Sequence, residues 1–486
     1  MKILVVGYDG GDRRIIDVMD MPNMQHFMQS GITPNVTEDL CSRGWAALTL
    51  GVHGRESGAF YTKPVLGSPG EVTQSFGMAD VGLLPNIKPI WQAWVERNLR
   101  VGVMNVPGTM PATKVNGFFV SGAGGGLKTS GLASLPEDAV YPPDLSQLIL
   151  KEEYVFDRRF SVSNITDWDQ WFNMVIEMES KRIDTYIAAA KQYQIDAGFL
   201  ALMGTNRIQN LAMYEIEQII EQNGEPKSIV QEGICDFYKK LDACFGKIMD
   251  SLQPTYQLVV ADHGQAPYLH SCNPNVFLKR AGFQSAATEP KARLGNLAKK
   301  IGKNLLPGDL WHKVRRRHIN VVKSFSKPDI DFIKTRAFSE RYVPGIYIND
   351  DERFGGPVKI GTSDHEYLLN ELIETFNASE EADIYGLSAR RYRSNYPTAK
   401  HENLLPDIWI DHPDSVFFEG RGEFVEANPN YGPIKSLKSV SRDMWTGVKG
   451  RHPLVIMSKN CLPFVEEVGV TDLASIYNVA VKVAQK

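Results

Sequence analysis

Asp262-His263-Gly264 stands directly after the apolar run LVVA, and of all the tripeptides in this chain it is the best suited to hold a cation. A carboxylate and an imidazole side by side at a strand end can both turn toward one ion, and the glycine permits the tight turn. Alone the signal is weak, since many such turns are structural. Two other features add weight. Asp9 lies at the end of the first apolar run, in KILVVGYDGGD, and His452 stands just before a late one, in GRHPLVIMSKN. A further stretch, MGTNRIQNLAM at 203–213, carries two carboxamides, Asn206 and Asn210, where such a site would want acids or imidazoles. Their plain reading is as turn and helix-cap residues.

The elements that must position these side chains follow from the pattern of apolar runs. KILVVG is a short continuous apolar strand without alternation, which suits a central parallel strand covered on both faces. Similar units that run from strand to polar end recur at LRVGVMNVPG (99–108), DAGFLALMGTN (196–206) and YQLVVADHG (256–264), with helical spacing at 177–194 and 228–251 between them. The alternation predicts an α/β fold with a doubly wound, mostly parallel central sheet flanked by helices. Asp9, Asn206, Asp262 and His263 then all follow C-terminal strand ends, the edge where open α/β sheets bind ligands. One domain over 1–486 is expected, with cap or insert segments at 121–170, rich in Gly and Pro, and at 291–340. Residues 291–327 hold eleven Lys/Arg against the single acid Asp309. This reads as a solvated basic insert or as a docking face for an acidic carrier, nucleotide or membrane surface.

Bulk properties exclude several classes. The chain has 486 residues, a formal net charge of -4 and 43% hydrophobic residues, an ordinary globular balance with no global pull toward nucleic acid. No apolar stretch approaches the roughly 20 residues that span a bilayer. The amino terminus reaches an aspartate before a signal-peptide core could form. Five cysteines without framework spacing suit a reducing compartment, so a cytoplasmic location is expected.

The ordered set of motifs resembles the alkaline phosphatase superfamily, in its type I phosphodiesterase/nucleotide pyrophosphatase-like branch of cytoplasmic phosphohydrolases. VVGYDGGD with MPNMQHFMQSG, WAALTLGVHG, VGVMNVPGTMPATKVNGFFVSG, LVVADHG, GIYIN, LLPDIWI and the late Gly450-Arg451-His452 follow that branch in order, over nearly the whole chain. The resemblance implies two divalent ions, usually zinc, about 4 Å apart and clamping a phosphoryl group. One would be held by the first-strand Asp, the nucleophile, and the Asp and His of DHG, which here are Asp9, Cys41, Asp262 and His263. The other would be held by an Asp-x-x-x-His pair and the late His. His452 takes the last place, but the pair falls on Asn206 and Asn210, because GTNRIQN replaces the family's G-T-D-R-x-Q-H. Cys41 lies nine residues before Leu50-Gly51, which replaces the family's Thr-Gly, and Ser42 takes the role if the register slips by one. Arg43 and Trp45 do not match the sulfatase signal that converts such a cysteine, so the thiol is expected unmodified. Ser57-Gly58 replaces a frequent His-Gly pair.

These departures shape the expected function. A thiolate beside a divalent cation is a strong nucleophile and a good zinc ligand. One ion, zinc, is therefore expected rather than two. Cys41 and a released His452 would be the catalytic groups, the latter as general acid or base. Asn206, Asn210 and Arg207 would hold substrate where a metal sat. The function expected is metal-dependent hydrolysis or group transfer on a small anionic, phosphorylated or carrier-bound substrate, with no nucleic acid partner and with self-association open. The alternatives are a cysteine-dependent acyl or carbamoyl transfer, and a non-catalytic binding descendant. Drift of the last kind should also have eroded Asp9, Asp262, His263 and His452.

Overall fold

The apolar run before Asp9 forms strand β1 (Ile3–Tyr8), buried along its whole length as a strand covered on both faces must be. The computed structural model describes residues 1–122, 136–156, 168–287, 330–434 and 445–485, which fall into two compact units. The larger comprises Met1–Tyr61, Gln74–Leu269 and Asn428–Lys486. In it β1 is joined by β2 (Val101–Met104), β3 (Phe118–Val120), β4 (Val140–Tyr141), β5 (Ala197–Leu202) and β6 (Tyr256–Val260). Beyond these come a separate antiparallel pair, β7 (Gly264–Pro267) with β8 (Gly447–Gly450), and the last strand, β9 (Val455–Met457). The seven-stranded sheet has the order β9-β6-β1-β5-β2-β3-β4. Neighbours from β6 to β3 run parallel, while the edge strands β9 and β4 are antiparallel. Gly7 pairs with both Ala201 and Val260, so two residues further on Asp9, Met203 and Asp262 leave the sheet at one edge.

Alternate residues of the strands feed two cores, one on each face. Leu4, Val6, Leu200 and Val259 pack on one face with helices α2 (Trp168–Gln192), α3 (Gly204–Glu221) and α4 (Ile229–Leu252). Ile3, Val5, Phe199 and Leu258 pack on the other with helices α1 (Gly44–Leu50) and α5 (Leu473–Val483). The expected doubly wound, mostly parallel α/β architecture is therefore present. Helices begin and end where the sequence supplies caps. Ser228 accepts from Gln231 N to start α4, and Asp472 accepts from Ser475 N to start α5.

The smaller unit comprises Thr62–Thr73 and His270–Ala427. The motifs GIYIN and LLPDIWI supply adjacent antiparallel strands here, with Ile346 opposite Ile408, in a four-stranded sheet. Ile346, Ile410, Leu372 and Phe376 form its core. Arg353 is buried between Asp350 and Asp407, at 2.6 and 2.5 Å. The 121–170 segment contains an edge strand, β4, and a helix at Leu145–Lys151, and its last residues already belong to α2. The basic 291–327 stretch lies outside the described residues. Among the described residues no helix is long and apolar enough to cross a membrane.

Candidate metal centre and active site

Asp9 follows β1, and Asp262 and His263 follow β6, the adjacent parallel strand, so the sheet itself brings three metal-ligand types together. All three are buried, and one ligand atom from each lies within 4.8 Å of the others. His263 Nδ1 is 2.6 Å from the Gly264 carbonyl, which can only accept, so in the neutral ring Nδ1 carries the proton. Nε2 then presents a lone pair, 3.4 Å from Asp9 Oδ1 and 3.5 Å from Asp262 Oδ2. Neither His263 Nε2 nor Asp9 Oδ1 has a hydrogen-bond partner. Three acceptors thus converge, two of them buried and without a hydrogen-bond partner. A backbone-anchored Nδ1 with an open Nε2 is how metal-binding histidines are commonly fixed.

Groups from other elements hold the two carboxylates. Trp45 Nε1 in α1 donates to Asp9 Oδ2 at 3.0 Å, leaving Oδ1 toward His263. The Tyr61 hydroxyl is 3.2 Å from Asp262 Oδ2, and Gly10 N donates to Asp262 Oδ1 at 3.3 Å. Lys449 Nζ lies 3.9 Å from Asp262 Oδ2 and 4.4 Å from the centre of the Tyr61 ring. Helix α1 approaches so closely that a Cβ on Gly44 would stand 1.7 Å from the Asp262 carbonyl oxygen, which makes glycine obligatory there. Burial alone would raise the Asp9 carboxyl. With no ion bound, a protonated His263, bonded to Asp9 through Nε2–H and charged beside it, together with Lys449 and Trp45 outweighs burial and holds it below the ordinary range. Burial and then the Asp9 charge push Asp262 up, against His263 and Lys449. Two adjacent carboxyls are thereby driven apart by their surroundings. Burial, then Asp262, also raises the Tyr61 hydroxyl well above its ordinary value, so it stays protonated as a donor.

The other residues picked from the sequence are placed less tightly. Cys41 is buried ahead of α1, its N–H donating to Asp39 Oδ1 at 2.8 Å and its carbonyl accepting from Tyr61 N. It is not one of the three residues of the cluster. Ser42 accepts from Gly54 N through its hydroxyl, a turn-closing role. His452 is exposed, with its backbone against Gly264. Asn206 and Asn210 occupy the first turns of α3, with Arg207 half-buried between them. Asn210 Oδ1 accepts from Gln265 Nε2 at 3.0 Å, while Asn206 Oδ1 is buried without a partner. Trp45, Tyr61, Lys449, Gln209 and Gln265 are the residues that sequence reasoning missed. Two of them, Trp45 and Gln209, stood inside motifs already quoted for their neighbours, WAALTLGVHG and GTNRIQN.

The profile of the type I phosphodiesterase / nucleotide pyrophosphatase family matches residues 3–424. Among solved structures, phosphonoacetate hydrolase from Sinorhizobium meliloti 1021 aligns over 100% of this chain and 96% of its own, at 11% identity and a TM-score of 0.50. Murine ectonucleotide pyrophosphatase/phosphodiesterase 5 aligns over 94% and 88%, at 13% identity and a TM-score of 0.41. The likeness to the hydrolase is one of fold. A search of curated proteins returned no match.

Proposed function

Because the chain belongs to the type I phosphodiesterase/nucleotide pyrophosphatase family, a group of phosphoester hydrolases in the alkaline phosphatase superfamily, we propose that it is a metal-dependent hydrolase of small anionic phosphoesters. The reading rests above all on the buried convergence of Asp9, Asp262 and His263, in which Asp9 Oδ1 and His263 Nε2 have no hydrogen-bond partner. Two carboxylates and one imidazole suit zinc, and Cys41, which the family resemblance puts at the nucleophile position, is the proposed fourth ligand or nucleophile. A bound ion there would neutralise charge on the phosphoryl group. Lys449 adds a fixed positive charge on the Asp262 side, and Asn206, Arg207 and the Asn210 amide nitrogen hold phosphoryl oxygens. Cys41 Sγ bonds to phosphorus as the bond to the leaving oxygen breaks, and His452 gives that oxygen its proton. Water then attacks phosphorus, giving its proton to the His452 left neutral by the first step, as the S–P bond breaks and restores the Cys41 thiolate. A cytoplasmic location is part of this reading, on the spacing of the five cysteines, which does not form a disulfide framework.

The test joins metal analysis to turnover. The wild type should carry one zinc per chain, lost in Asp9→Asn, and should cleave at least one of a phosphodiester, phosphomonoester and phosphonate ester panel. Cys41→Ala should keep its fold and lose ~10³-fold or more in kcat/KM. Full turnover by Cys41→Ala would remove the thiol from the mechanism. A thioester on Cys41 after exposure to acyl donors, without any phosphoester cleavage, would favour group transfer instead.

A further inference from the structure

The smaller unit holds a polar cavity that the hydrolase reading does not use. Its volume is about 260 Å³, against roughly 300–1,000 Å³ for pockets of drug-sized ligands, so it suits one small ring. Two stretches of sequence build its wall. Thr362 caps the helix Ser363–Asn377 by accepting from His365 N at 3.3 Å, which seats His365 in the first turn. Leu369 follows one turn later on the same side, and both side chains are buried in the wall. In the second stretch Arg391 pairs with Ile408, and Tyr392 N donates to the Asp407 carbonyl. That register brings Arg391, Arg393 and Asp407 to the same cavity. The charges there are paired. Arg391 Nη1 donates to Glu366 Oε2 and Nη2 to Asn370 Oδ1, both at 2.8 Å. Arg393 Nε lies 2.9 Å from Asp407 Oδ1 and 3.4 Å from Glu402 Oε1. His365 differs from them. It is 5% exposed, and neither of its ring nitrogens has a hydrogen-bond partner. Glu366 Oε1 stands 3.6 Å from Nδ1, beyond hydrogen-bond reach. A neutral imidazole has one donor and one acceptor, and here both go unused.

We propose that this cavity binds a small neutral polyhydroxylated ring, a monosaccharide or a cyclitol. Glu366, Glu402 and Asp407 against Arg391 and Arg393 leave no positive excess for an anion. The arginines that hold those carboxylates repel a cation. A hydroxyl both donates and accepts, so it serves a guanidinium and its carboxylate partner at once. A guanidinium has five N–H groups and a carboxylate about four lone-pair sites, more than one ion pair consumes. His365, with one donor and one acceptor unspent, makes the same demand. Ile360 and Leu369 supply apolar wall for the C–H face of the ring. The site lies wholly within the smaller unit and does not rest on the hydrolase reading.

The test is calorimetric titration of the full chain with glucose, mannose, ribose and myo-inositol, with inorganic phosphate and spermidine as charged probes. The readout needs neither zinc nor turnover, so it stands apart from the fate of the hydrolase reading. At least one neutral compound should saturate one site per chain at millimolar concentration or below, ~10-fold or more tighter than either charged probe. Arg391→Met and His365→Phe should each weaken that binding ~10-fold or more, as the loss of hydrogen bonds to charged or buried groups does. Ser394 also lines the cavity but is exposed, so Ser394→Trp fills the space without disturbing the core. It should abolish binding, and it decides the matter even where His365→Phe fails to fold. The proposal is overturned if no neutral compound binds at millimolar concentration, or if phosphate or spermidine binds more tightly. It is equally overturned if Ser394→Trp binds as the wild type does.

Discussion

Trp45 gives its indole N–H to Asp9 Oδ2, and that single bond decides which oxygen of Asp9 faces His263. Trp45→Phe keeps the ring packed against Phe199, 6.3 Å between centroids, and removes only the donor. Zinc affinity is expected to fall about 10–100-fold, as for other partners that orient a ligand, while urea denaturation changes by about 1 kcal/mol. An equilibrium competition with a zinc chelator reads the first effect. Unchanged affinity would mean that Asp9 needs no orientation. Lys449 acts at the same scale by charge. Lys449→Met should leave zinc content intact and lower kcat/KM about 10–100-fold, as the loss of one charged contact to a phosphoryl group does. An equal loss of zinc would make it a structural partner of Asp262 instead.

At the scale of elements, the three cluster residues were legible because each follows a continuous apolar run, and parallel neighbours end at one edge. Their supports were not. Lys449 reaches Asp262 because β8 pairs with β7, placing Lys449 opposite Gln265 and Gly450 opposite Gly264. Tyr61 reaches it from a loop beyond α1, and no local pattern encodes either meeting. The two amides of MGTNRIQNLAM were read as a lost pair, but only the structure separates them, one tied to Gln265 and one orphaned. Helix α1 is seated by backbone contact, and Gly44→Ala tests that seat. The new methyl would meet the Asp262 carbonyl oxygen at 1.7 Å, a backbone atom that cannot swing away. A loss of about 3 kcal/mol in urea denaturation is expected, with weaker zinc binding as α1 is pushed out. Wild-type stability in this variant would place α1 elsewhere.

Across the larger unit, the two ends of the chain are tied by a buried ionisable cluster that no motif announced. Glu38 N donates to the Arg451 carbonyl, and Glu38 Oε1 accepts from Leu473 N at 2.8 Å, at the start of α5. His53 Nε2 sits 3.0 Å from Asp472 Oδ2, the cap of the same helix. Burial pushes the Glu38 carboxyl up to about 7, against the Leu473 bond and the His53 charge. Burial lowers His53, but the Asp472 bond and the Glu38 charge raise it further than that. The His53 bond, acting against burial, holds Asp472 down at about 2. Glu38 and His53 keep protons in the folded state that the unfolded chain has released. Their contribution is therefore full below their unfolded pKa values and is lost as pH rises through the folded ones. For Glu38 the loss between about pH 4.5 and 8 is of the order of 3 kcal/mol. Asp472 works in the opposite sense, contributing above its ordinary value of 3.8 and failing as pH falls through about 2. Stability should accordingly decline from pH 5 to pH 8. Glu38→Gln keeps the acceptor for Leu473 N and removes the titration. Its urea stability should match the wild type near pH 5 and exceed it at pH 8, and the difference between the two proteins cancels whatever the metal ligands do. A constant difference across that range would show that Glu38 is ionised throughout, and that the tie between the chain ends does not respond to pH.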